Sequence, residues 1–86
     1  MEWVIVEREF DPPVTADAAR AGRDALDCQE LYGVEPVRSY LAQGGRRMVC
    51  VFRAPDAEAV RTVLRNGGSG RAKVWAGTEH NAEKTA

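Results

Sequence analysis

The stretch VFRAPDAEAVRTVLRNGG (Val51–Gly68) changes period at its middle. Up to Ala54 it is an apolar, β-branched and aromatic run, the pattern of a strand. Ala54-Pro55-Asp56 then breaks the strand, and Asp56 is placed to cap a helix. In that helix Val60, Val63 and Leu64 fall on one side and Glu58, Arg61 and Arg65 on the other, before Gly67 stops it. A strand that hands over directly to an amphipathic helix belongs to a small α+β sandwich.

The rest of the chain fits the same plan. Trp3–Phe10 (WVIVEREF) reads as the first strand, broken by Asp11-Pro12-Pro13. Thr15 caps a helix predicted to run to Tyr32, with Gly33 after it. Its inward side is expected to hold Ala18, Ala21, Gly22, Ala25, Cys28 and Tyr32. Val34–Ala42 is the second strand, with Pro36 restricting it to an edge. Gly44-Gly45 marks a hairpin, Arg47–Ala54 is the third strand and Ala72–Ala76 the fourth. The glycine-rich Gly67-Gly68-Ser69-Gly70-Arg71 follows a helix instead of opening one, so it reads as a connection and not a phosphate loop. The order βαββαβ is the ferredoxin-like arrangement: two helices on one face of a four-stranded antiparallel sheet. Residues 1–77 form this domain, and residues 78–86, including His80, form a polar tail expected to be disordered.

Bulk properties narrow the function. With 86 residues the chain makes one domain with a thin core. Its formal net charge of −1, from 12 basic and 13 acidic residues, offers no general attraction to nucleic acid or an anionic membrane. The third strand also lacks the Gly-aromatic signature of RNA-binding βαββαβ modules. The opening MEWVIVEREF is too short an apolar run for a signal peptide or membrane span, which makes the cytoplasm the expected compartment. Cys28 and Cys50 form no CxxC pair, so neither a disulfide framework nor a cysteine-rich zinc site is indicated.

Strand alternation sorts side chains between the helix-covered and the helix-free face of the sheet. With no bulge, Val4, Val6, Val37, Leu41, Val49, Val51 and Val74 are expected under the helices. The open face is then expected to carry Trp3, Ile5, Glu7, Glu9, Arg38, Tyr40, Met48, Cys50, Phe52, Lys73 and Trp75. So apolar a face is predicted to be covered, by a second copy of the chain in a homodimer, with a pocket between the sheets. The expected ligand contacts are Trp3, Glu7, Arg38, Tyr40, Cys50, Phe52 and Trp75. The first functional reading is a small homodimeric binding protein for a metal ion or small molecule. The alternative is a cofactor-independent cyclase or isomerase. There Glu7, desolvated among apolar neighbours, acts as general base, and Arg38 or Tyr40 steadies the anion formed.

GVEPVRSYLAQGGRRMVCVFRAPDAEAVR (Gly33–Arg61) resembles a family of small proteins of formally unknown function whose characterised members bind nickel. The matching positions are Gly33-Val34, Ser39-Tyr40, Cys50, Ala54-Pro55-Asp56 and Ala59-Val60-Arg61. The opening strand is also similar to the family's. The resemblance implies a ferredoxin-like fold, a dimer and a link to nickel. Relatives carry His near the end of strand one, where this chain has Glu7-Arg8-Glu9. The metal ligands implied here are therefore Glu7, Glu9 and Cys50, shared across a dimer.

Overall fold

A computed structural model describes residues 1–24, 32–66 and 72–81 of the chain. The elements follow in the expected order: β1 (Glu2–Glu9), α1 (Ala16–Asp24), β2 (Glu35–Leu41), β3 (Arg47–Ala54), α2 (Ala57–Asn66) and β4 (Ala72–Gly77). The strands form one antiparallel sheet in the order β2-β3-β1-β4, which is the ferredoxin-like topology. The predicted continuation of α1 over residues 25–31, with Cys28, and the Gly67-to-Arg71 connection lie outside the described residues, while Tyr32 lies in a turn and is exposed instead of facing inward on the helix.

Local chemistry sets the helix starts. The Ala18 amide donates to Thr15 Oγ1 at 3.1 Å, and the Ala59 amide donates to Asp56 Oδ1 at 2.8 Å. Both are N-caps that satisfy an otherwise unpaired first-turn amide. On α2, Glu58 accepts from Arg61 at 3.3 Å and from Arg65 at 3.0 Å. These two guanidiniums, Arg65 first, hold the exposed Glu58 carboxyl below its ordinary value. A depressed carboxyl supports the fold while ionised, so its contribution is present at neutral pH and is lost as acid protonates it. Arg61 also donates to the Val74 carbonyl at 2.9 Å, tying α2 to β4.

The hairpin between β2 and β3 anchors the loop after β1. The Phe10 amide donates to the Arg46 carbonyl at 2.7 Å and the Val14 amide to the Gly45 carbonyl at 2.9 Å. Gly45 has φ +73°, and a Cβ there would fall on the Val14 carbonyl oxygen. Only glycine meets both demands.

The core holds Val4, Val6, Ala19, Val34, Met48, Cys50, Phe52, Ala54, Val60, Val63 and Leu64. This corrects the faces expected for β3. Met48, Cys50 and Phe52 lie beneath the helices, not on the open face, and Val49 and Val51 take the open face instead. The ladder dictates it: Val4 pairs with Phe52 and Val6 with Cys50, and directly opposed residues share a face. Both alternating sets of RMVCVFRA are apolar, so hydrophobicity alone does not phase the strand. Its arginines do, because Arg47 and Arg53 share parity with Val49 and Val51. The bulge assumption also fails at β2, where the register shifts between Pro36 and Arg38. On α1 the core contact is Ala19, while Ala18 and Ala21 are exposed.

Two outcomes check this placement. Phe52→Ala is expected to cost about 3–5 kcal/mol, as for other fully buried phenylalanines. That is a large part of the stability of so small a domain, and urea denaturation measures it. In a Cys28→Ser background, the Cys50 thiol is expected to resist Ellman's reagent until the chain unfolds. Labelling at the rate of a free thiol in the native state would return Cys50 to the open face.

Candidate functional site

The register arranges the helix-free face as rows across the sheet. One row runs Arg38, Val51, Ile5, Trp75 from β2 to β4. The next runs Tyr40, Val49, Glu7, Lys73, and on the other side Glu35, Arg53, Trp3 and Gly77 align. Of the residues expected here, Trp3, Ile5, Glu7, Glu9, Arg38, Tyr40, Lys73 and Trp75 do share this face. Cys50 and Phe52 do not: each is 2% exposed and sits on the opposite side of the sheet.

Trp75 is held at both ends. Its Nε1 donates to Glu7 Oε2 at 2.9 Å, and its six-membered ring leans over Gly77, where a Cβ would stand 3.0 Å from Cζ3. The indole therefore lies along the strand as a fixed wall while remaining 47% exposed. Trp3 is fixed from the other side, with the Arg53 guanidinium 4.7 Å from the ring centroid, a cation–π contact between direct ladder partners. Tyr40 stands out from β2, 64% exposed.

A cleft of about 170 Å³ opens between these walls, lined by Trp3, Ile5, Arg38, Val51, Trp75, Gly77, Thr78 and Glu79. The first residues of the polar tail contribute to it, a role that no pattern of residues reveals. Glu79, two residues beyond β4, reaches Arg38 on β2 at the far edge of the sheet, with Nη1 and Oε2 3.7 Å apart. His80 Nε2 lies 2.7 Å from Thr78 Oγ1 within the same segment.

The residues implied as a metal set do not converge. Cys50 is separated from Glu7 and Glu9 by the sheet itself. Each glutamate also faces a cation across the ladder, Glu7 opposite Lys73 and Glu9 close to its ladder partner Arg47. A smaller cavity of about 100 Å³ beside them is lined by Arg8, Arg47 and Lys73 as well as both glutamates. Its charge is already compensated, which disfavours a divalent cation. Among the described residues, no three His, Cys, Asp or Glu side chains gather in a way that would hold a metal ion. The donor set does not fit nickel.

The expected catalytic group is not assembled either. Val49 stands between Tyr40 and Glu7 in their row, so the two are two strand spacings apart, about 9–10 Å. Arg38 lies in the adjacent row, engaged by Glu79. Glu7 acts here as the acceptor that orients Trp75. No helix among the described residues is long and apolar enough to cross a membrane.

Comparison with known proteins agrees with this architecture. The crystal structure of SCO4226 from Streptomyces coelicolor A3(2) matches with a TM-score of 0.79, covering 92% of this chain and 99% of that one. At 17% sequence identity this likeness shows the fold. No curated protein matches the chain. The family model described as "Nickel responsive protein SCO4226-like" matches residues 5–76, which run from within β1 to within β4 and include β2, β3 and both helices. The chain belongs to this SCO4226-like family.

Proposed function

We propose that this chain is a homodimeric binding protein that holds a small organic ligand on the helix-free face of its sheet. The observation that carries this reading is the cleft between Trp3, Ile5, Val51 and Trp75, with Arg38 and Glu79 at its rim. It combines apolar walls with a few fixed polar groups, the usual composition of a ligand site. At about 170 Å³ it is smaller than the roughly 300–1,000 Å³ of most such pockets. A second sheet laid over the first supplies the missing wall and covers Tyr40 and Trp75, which a single chain leaves in water.

The family's nickel link suggests a metal, but the compensated glutamates and the buried Cys50 favour an organic occupant at this face. The binding reading is also favoured over a general-base enzyme, because Glu7 is engaged by Trp75 and stands apart from Tyr40.

Native mass spectrometry of untagged protein, purified without chelators, tests both parts. A dimer is expected, and a retained mass is expected to be organic. A stoichiometric nickel mass would overturn the organic reading, and a monomer would overturn the dimer. Tyr40→Glu, a change at an exposed position, is expected to shift the dimer to monomer in light scattering with an unchanged circular dichroism spectrum.

A further inference from the structure

We propose that the cleft is specific for an aromatic monocarboxylate, whose carboxylate takes the place of Glu79 on Arg38. This rests on the ligand-binding reading above and names the class of ligand. Three features of the cleft lead to it.

The first is size and shape. A cavity near 150 Å³ with apolar walls accommodates one benzene-sized ring, and this cleft measures about 170 Å³. Its walls include two indoles, and Trp75 is immobilised at one end by Glu7 and at the other by its seat over Gly77. A wall that is already fixed loses little freedom when a flat ring stacks on it.

The second is charge. Arg38 is the guanidinium that lines the cleft, in the same row as Val51, Ile5 and Trp75. Of the other carboxylates on these rows, Glu7 already accepts the Trp75 N–H and stands opposite Lys73, and Glu35 stands opposite Arg53. Once Glu79 moves aside, the rim is cationic and selects an anion.

The third is the quality of the pair now in place. Arg38 and Glu79 are separated by 3.7 Å, beyond hydrogen-bonding range, and their side chains are 48% and 44% exposed. Such pairs add little stability. Glu79 nevertheless shows that a carboxylate reaches this position from the cleft side. A ligand carboxylate free to align with the guanidinium makes two parallel charge-assisted hydrogen bonds, which the tail does not make. The tail is then a weak internal competitor for the site.

The test uses the protein as purified and follows tryptophan fluorescence during titration with benzoate and, in parallel, with benzyl alcohol. Benzoate is expected to saturate the signal and to bind about tenfold more tightly than benzyl alcohol. Arg38→Gln is expected to remove that preference and leave benzyl alcohol binding unchanged. Glu79→Gln, which removes the competitor, is expected to tighten benzoate about two- to fivefold without affecting the alcohol. Equal binding of both probes, or an unchanged benzoate affinity in Arg38→Gln, would overturn the carboxylate class while leaving an apolar ligand site intact. Failure of both probes to bind the wild type and Glu79→Gln proteins would overturn the proposal together with the cleft as a site for single-ring ligands. The dimer would still be judged separately by its mass.

Discussion

Val4 opposite Phe52, and Val6 opposite Cys50 on one side and Val74 on the other, set the phase of the whole sheet. These side chains are the middle of the core, and α2 closes over them with Val60, Val63 and Leu64. A slip of one residue in the β1–β3 ladder would send Phe52 into water and a neighbouring arginine under the helices. Because that exchange is so unfavourable, the register is firmly specified. The opposite face inherits its composition from it. Trp3, Ile5 and Glu7 stand outward because Val4 and Val6 stand inward, and Val49 and Val51 lie between them and β2.

Much of the architecture was legible in the chain because several local signals agree. Thr15 and Asp56 cap where helices begin, Gly44-Gly45 turns the hairpin, and Val60, Val63 and Leu64 recur with a helical period. The phase of β3 was harder to read. Met48, Cys50 and Phe52 compete with Val49 and Val51, and neither set is polar. The arginines at either end, Arg47 and Arg53, carry the deciding information, since each needs water or a ring face. Hydrophobicity alone puts Cys50 and Phe52 in the ligand site, and the flanking arginines put them beneath the helices. The contribution of Glu79 has a different origin. It depends on a polar segment with no periodic pattern, and its contact with Arg38 spans 41 positions of the sequence by the difference of the two residue numbers.

Membership of a family described as nickel responsive and the chemistry of this open face point in different directions. Where a metal site concentrates negative charge, this sheet intersperses it with cations: Glu7 stands opposite Lys73 and Glu9 opposite Arg47 in the ladder, and Glu79 pairs with Arg38. Glu7 is further committed to the Trp75 indole. What remains uncommitted is aromatic surface. The shared fold therefore supplies a platform, and the side chains on it decide what that platform receives.

The strand order has a consequence for how the chain comes into being. β1 sits inside the sheet between β3 and β4, yet both partners lie far along the sequence, and β4 begins at Ala72. At ~5–20 residues per second, about 3–14 s separate the synthesis of Trp3 from that of Ala72. During that interval the WVIV run of β1 has emerged or is emerging with β4 still to be made and, up to Ala54, β3 incomplete as well. This inner strand is thus made before both of its partners and is the last to be flanked on both edges. A nascent chain of this design is exposed to wrong pairing for most of its synthesis, and Glu2, Glu7, Arg8 and Glu9 around that run act as charged gatekeepers.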